Sequence, residues 1–198
     1  EAVLSQASEL RTVLSAAYDI EDAALVVGAS IGVAISVEER DPGNLLIDAD
    51  IALSQAKASG KDRVLLFDPA MHDIFLRRTL IQAELASAIE NDEIVPHYQI
   101  KVDVATGQVI GAEVLARWTH PTLGPVSPAE FTRIAEQSGQ IVALGRKILE
   151  KACSDALYLP DDMGIAVNLS VVQFVRDDLV ATVRAAHETT GLPAHRLT

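Results

Sequence analysis

Glu113 and Arg117 stand four residues apart in Val109 to Trp118, V-I-G-A-E-V-L-A-R-W, a stretch otherwise composed like a buried strand. Side chains alternate along a strand with period two. Val109, Gly111, Glu113, Leu115 and Arg117 therefore fall on one face, and Ile110, Ala112, Val114, Ala116 and Trp118 on the other. The second face is wholly apolar and must pack on something, so the first is expected to open onto a separate enclosed or ligand-facing space. A carboxylate there suits a cation, and a guanidinium suits an anion. The alternative is a structural salt bridge. On a strand, however, α-carbons four residues apart are separated by about 13 Å, so a direct pair needs both side chains fully extended toward each other.

The elements that must position these residues belong to a chain of 198 residues, 49% hydrophobic, enough for one large domain or two small ones. A net charge of −12 argues against a non-specific nucleic-acid polymer or an anionic membrane surface as partner, since both require a basic face. The longest nearly apolar run, Ala23 to Ile35, is interrupted by Gly28, Ser30 and Gly32 and is shorter than the ~20 residues of a spanning helix, so no membrane insertion is expected in this segment. One cysteine, Cys153, cannot form an intrachain disulfide. It is expected to be a small core residue in a cytoplasmic protein, which leaves room for membrane or sensor domains outside the segment. The start at Glu1 carries no leader pattern and is expected to be a processing boundary.

Apolar spacing predicts helices over Val3 to Tyr18, Leu45 to Ala58, Met71 to Asn91, Ala129 to Ser138, Ile141 to Tyr158 and Asp177 to Thr189. β structure is expected over Leu25 to Ser36, Arg63 to Phe67, Ile94 to Val102, Val109 to Trp118 and Gly164 to Ser170. Asp41 to Asn44 reads as a turn. The six residues from Asp103 to Gln108 are too few for a parallel crossover, so the flanking strands should pair antiparallel. Ser127, Pro128 and Glu130 have the spacing of an N-cap, a first helical proline and a capping box. The five histidines show no paired ligand spacing and are expected on the surface or in loops.

Ser30-Ile31-Gly32-Val33-Ala34, Asp48-Ala49-Asp50-Ile51-Ala52-Leu53 and Ala56-Lys57-Ala58-Ser59-Gly60-Lys61-Asp62-Arg63 resemble the C-terminal part of a GGDEF domain, the diguanylate cyclase family. The Gly-Gly-Asp-Glu-Phe signature is absent from the chain, so cyclase activity is not expected. Lys57 and Lys61 receive no site role, because lysines near a helix C-terminus are accounted for by its dipole.

Tyr98-Gln99, Glu113-Val114-Leu115-Ala116-Arg117-Trp118, Pro128-Ala129-Glu130-Phe131, Ala135-Glu136 and Val167-Asn168-Leu169-Ser170 resemble, in order, the first half of an EAL domain, the family that hydrolyses cyclic di-GMP. The resemblance implies an α/β architecture: a partial GGDEF-like domain over 1–68, a linker helix over 69–91 and the first half of an EAL-type (β/α)8 TIM barrel over 92–198. It makes Glu113 and Asn168 metal ligands for Mg²⁺ or Mn²⁺, and Gln99, Leu115 and Arg117 substrate contacts, with Arg117 on phosphate and Leu115 against a base. No catalytic residue is assigned. Without the resemblance, Asn168 reads equally as a ligand or as a cap for the next helix, and Gln99 as a partner for backbone groups.

The implied chemistry is metal-assisted opening of one phosphodiester of cyclic di-GMP to give linear pGpG. The alternative is a degenerate GGDEF–EAL nucleotide sensor or interaction module. A full barrel takes about 250 residues, whereas about 105 run from Ile94 to Thr198. One carboxylate and one amide do not fill the shell of a hard divalent ion, so the 198-residue chain is expected to have no phosphodiesterase activity by itself. Open strand edges lead to the further expectation of a homodimer or domain-swapped pair.

Overall fold

In the computed structural model, which describes residues 2–20, 23–36 and 41–198, helical spacing at the start of the chain forms α1 (Ala2–Leu14). The helix ends short of the expected Tyr18, because that residue opens β1 (Tyr18–Ile20), which pairs antiparallel with β2 (Ala23–Leu25). Of the β structure expected over Leu25 to Ser36, the strand β3 (Ile31–Val33) forms beyond Leu25. Asp41 to Asn44 is not a separate turn. Pro42 starts α2 (Pro42–Ala58), where its missing N–H costs nothing because the first amides of a helix lack partners. β4 (Val64–Leu66) pairs parallel with β3. Gly32 permits the helix to lie on that strand: a Cβ there would fall 2.1 Å from the Ala49 carbonyl oxygen. Asp62 accepts from Arg11 (3.0 Å), Ser15 (3.2 Å) and the Ala29 N–H (3.4 Å), and the Arg11 guanidinium holds its carboxyl below the usual range.

The chain divides into two units, 1–78 and 79–198, with the boundary inside α3 (Ala70–Glu90). The second half of α3 does more than connect. Ile81, Leu85, Ala88 and Ile89 are buried in the core of the second unit.

That unit is built on β5 (Ile94–Val102) and β6 (Val109–His120), antiparallel as the short connection requires. β6 is the central strand. Along its other edge lie β7 (Gly124–Val126), antiparallel to Trp118–His120, and β8 (Gly164–Val167), parallel to Gly111–Val114. The sheet is open, and a bridge from Ile165 to Leu197 continues beyond β8. Between these strands run α4 (Pro128–Ser138) and α5 (Ile141–Ala156), followed after β8 by α6 (Val171–Arg176) and α7 (Leu179–Thr190). The apolar face of β6 supplies Val114 and Trp118 to a core shared with Phe131, Ile134, Leu144, Leu149 and the free thiol Cys153. Burial pushes that thiol above its usual pKa.

Three local expectations are corrected. His120 is no surface or loop residue: it is 1% exposed, its ring packs on Trp118, and its Nδ1 accepts from the backbone N–H groups of Thr122 (3.2 Å) and Leu123 (3.3 Å). Those bonds leave the ring proton on Nε2, which lies 2.8 Å from Glu84 Oε2, off the line of a good hydrogen bond. Ser127 precedes α4 without a side-chain cap. Its carbonyl accepts from the Glu130 and Phe131 amides, and Pro128 removes one donor. The capping box is at Ser170 and Gln173, opening α6. Ser170→Ala is accordingly expected to lower stability by about 1–2 kcal/mol, and Ser127→Ala to change it by less than about 0.5 kcal/mol. Urea unfolding followed by circular dichroism checks the contrast.

Arg196 is 4% exposed and donates to the carbonyl oxygens of Ala156 (2.7 Å), Leu159 (3.2 Å), Pro160 (3.1 Å) and Met163 (2.9 Å), holding the turn that leads into β8. Asp177, between α6 and α7, takes Arg146 from α5 and Thr182 from α7, and the Arg146 guanidinium lowers its pKa.

Candidate functional site

Glu113 stands at the crossing of three strands. On β6 it is paired across the antiparallel ladder with Gln99 of β5, and across the parallel ladder with Ala166 of β8. β8 ends one residue later, at Val167, and the chain turns toward α6. Asn168 lies in that turn, and its Nδ2 donates to Glu113 Oε1 over 2.7 Å. Ala166, Asn168 and Ser170 therefore do not continue along one strand face. The turn carries Asn168 to Glu113 and Ser170 to the start of α6.

Farther along the same face of β6 come Leu115, opposite His97, and Arg117, opposite Val95. The salt bridge considered from the sequence does not form: Glu113 is engaged by Asn168, and Arg117 Nη1 donates to the Ala116 carbonyl (2.9 Å). Both residues are half-buried, while Gln99 and Asn168 are exposed. Leu115, Arg117 and Asn168 line a pocket of about 330 Å³ where β6 and β8 reach the helices, together with Glu136, Ser170 and Gln173. Gln99 and Glu113 do not line that pocket; they face each other across the β5–β6 ladder, beside the end of β8.

The last three polar residues of the pocket carry no role in the sequence reasoning, and they form one bonded group. Ser170 Oγ donates to Glu136 Oε1 of α4 (2.6 Å) and accepts from the Val172 N–H (3.1 Å), and the Ser170 N–H donates to Gln173 Oε1 (2.9 Å). The Ser-x-x-Gln spacing of 170 to 173 is a capping signature that sequence alone displays. The contact to Glu136, across 34 positions, has no local signal.

A divalent cation such as Mg²⁺ requires a shell of oxygen donors. Glu113 offers carboxylate oxygens, and a half-turn of the Asn168 amide would put its carbonyl oxygen where Nδ2 now sits, since the two amide ends have nearly the same shape. Oxygen donors of this kind fit a hard ion such as Mg²⁺ or Mn²⁺. They supply two positions of its shell. Among the described residues there is no group of three or more His, Cys, Asp or Glu able to hold a metal.

The chain has relatives among known proteins. The sequence profile of the EAL domain matches residues 82–198. The bifunctional diguanylate cyclase/cyclic di-GMP phosphodiesterase MucR of Pseudomonas aeruginosa is 35% identical over 178 residues, covering 87% of this chain and 26% of MucR. Among solved structures, the PaMucR phosphodiesterase in complex with c-di-GMP superposes with a TM-score of 0.56 at 39% identity, over 60% of this chain and 49% of that one. The S helix-GGDEF-EAL part of Vibrio cholerae LapD covers 100% of this chain and 46% of that one, with a TM-score of 0.55 at 19% identity, a likeness of fold alone. The chain spans about a quarter of the length of the curated relatives it matches.

Proposed function

The chain belongs to the EAL domain family, and on that premise we propose that it supplies part of the site of a metal-dependent phosphodiesterase that opens cyclic di-GMP to linear pGpG. The observation that carries the proposal is the 2.7 Å contact between Glu113 and Asn168, which sets a carboxylate and an amide, 55 positions apart, beside the end of β8. Support also comes from MucR, named a cyclic di-GMP phosphodiesterase, and from its phosphodiesterase in complex with c-di-GMP.

In this proposal Glu113 and Asn168 hold Mg²⁺ or Mn²⁺. The ion, when bound, activates water and neutralises phosphoryl charge. Arg117 holds non-bridging phosphate oxygens through the planar fork of donors on its guanidinium. Leu115 offers an apolar surface to a guanine base, and Gln99, exposed opposite Glu113, offers an amide to the substrate. The open sheet of the second unit is read as part of a (β/α)8 barrel, and the first unit as the C-terminal part of a GGDEF domain, supported by the fold likeness over the whole chain. Pairing through the free edge of β5, where Ile100 and Val102 are exposed, is proposed as a route to a homodimer, which light scattering measures. Among the described residues no helix is long and apolar enough to cross a membrane.

The test replaces the matching segment of the MucR phosphodiesterase domain with residues 82–198 and follows conversion of cyclic di-GMP to pGpG by chromatography in Mg²⁺ or Mn²⁺. Turnover is expected. A folded chimaera that binds cyclic di-GMP and yields no pGpG overturns the catalytic proposal in favour of a nucleotide-binding module.

A further inference from the structure

Asn168 is only two residues from Ser170, and Ser170 is held from two helices. From α4, Glu136 Oε1 accepts a hydrogen bond from the Ser170 hydroxyl at 2.6 Å. From α6, Gln173 Oε1 takes the Ser170 N–H at 2.9 Å while the hydroxyl caps Val172. From α5, Gly145 leaves room for that glutamine: a Cβ on Gly145 would lie 2.0 Å from Gln173 Nε2. Gln173 is 2% exposed, so this amide has few other places to go.

A capping box alone accounts for Ser170 and Gln173 but not for Glu136, which belongs to another helix and contributes nothing to the start of α6. Its bond uses the one proton of the hydroxyl. The Ser170 oxygen thereby turns its lone pairs toward Val172, and the turn before α6 is tied to α4. The remaining freedom of Leu169 and Asn168 is that of a two-residue span between this anchor and the end of β8 at Val167. At its far end Asn168 meets Glu113.

We propose that Glu136 is a positioning residue: through Ser170, with Gln173 as its second support, it sets the side chain of Asn168 against Glu113 and so sets the geometry with which this pair receives a divalent cation. The last clause rests on the function proposed above; the first does not. Glu136 touches neither member of the pair, and its effect is carried by the 168–170 turn. Outer partners of metal ligands commonly change affinity by about 10- to 100-fold when removed.

The test uses the 198-residue chain, with nuclear magnetic resonance of the Asn168 side-chain NH₂ as the readout and Mn²⁺ as the probe. Without metal, the Asn168 NH₂ protons are expected to be shifted and slowed in exchange by the bond to Glu113. Glu136→Ala should return them to solvent-like values while the Trp118 indole resonance stays native. Glu136→Gln keeps an oxygen acceptor for Ser170 and should restore the native signal. With Mn²⁺, broadening of the Asn168 NH₂ is expected at concentrations at least tenfold higher in Glu136→Ala than in the unaltered chain. An unchanged Asn168 signal in folded Glu136→Ala overturns the positioning role. A general loss of the native spectrum in Glu136→Ala that Glu136→Gln fails to restore also overturns it, because Glu136 then acts on the fold at large. If Mn²⁺ broadens no Asn168 signal even in the unaltered chain, the metal-site reading fails while the positioning result stands on the metal-free spectra.

Discussion

In a MucR barrel carrying residues 82–198, Glu113→Gln is expected to slow cyclic di-GMP hydrolysis by about a thousandfold or more, equivalent to about 4 kcal/mol of transition-state stabilisation. The substitution is nearly isosteric. Glutamine still offers an oxygen to the Asn168 Nδ2 that now bonds Glu113 at 2.7 Å, and it keeps its place in the ladder opposite Gln99 and beside Ala166. The fold should therefore survive with its melting temperature within a few degrees. On the proposed reading, what disappears is the negative charge that Glu113 would offer a hard cation, for which an amide is a weaker ligand than a carboxylate. Raising Mn²⁺ should recover part of the rate, because the defect lies in holding the ion. A fall of less than tenfold at saturating substrate would remove Glu113 from the proposed site.

The second large effect is on the pairing that brings Asn168 to Glu113. Gly111→Ala is expected to destabilise the second unit by about 3 kcal/mol, at the upper end of ordinary overpacking. The parallel ladder of β6 and β8 begins at Gly111 opposite Gly164, and a Cβ on Gly111 would lie 2.3 Å from the Gly164 carbonyl oxygen. That neighbour is backbone and cannot swing aside, so relief requires β8 to move off β6. Urea unfolding followed by the fluorescence of Trp118, which is 1% exposed in this unit, measures the loss. Gly107 is the control: it sits in the β5–β6 turn, and a Cβ there meets nothing within 4 Å. Equal effects at the two positions would show that backbone freedom, not the close approach to Gly164, sets the cost.

The two effects separate what local pattern encodes from what only the assembled chain contains. Period-two alternation marked Glu113, Leu115 and Arg117 as one face and Val114 and Trp118 as the core face, and the short connection dictated the antiparallel ladder that sets Gln99 opposite Glu113. The helices from α3 to α5 begin and end within about two residues of their apolar stripes. Elsewhere propensity and position disagreed. Val171-Val172-Gln173-Phe174-Val175 is rich in β-branched residues, so α6 went unrecognised, yet the Ser170–Gln173 cap is enough to start a helix there. His120 looked like a loop residue because what shields it, Trp118 beneath and Glu84 on α3, is assembled by tertiary packing. The meeting of Glu113 with Asn168 depends on β6 and β8 lying parallel across 55 positions, and no local period reports that. In the sequence, only the family resemblance joins those two residues.

Arg196 carries one more consequence. Its guanidinium reaches back 40 positions to Ala156 and binds the carbonyls of the turn before β8, so the segment holding β8, α6 and α7 is a large loop closed at its base by one side chain. A clasp at that place acts on chain statistics as a crosslink does, although it is reversible and made of hydrogen bonds. While it holds, the start of β8 is tied to the turn before it, because releasing Arg196 leaves four carbonyl groups seeking water together. The Asn168 turn should therefore open in slow amide exchange as one cooperative block with α6 and α7, giving the site a stability of its own within the unit that carries it.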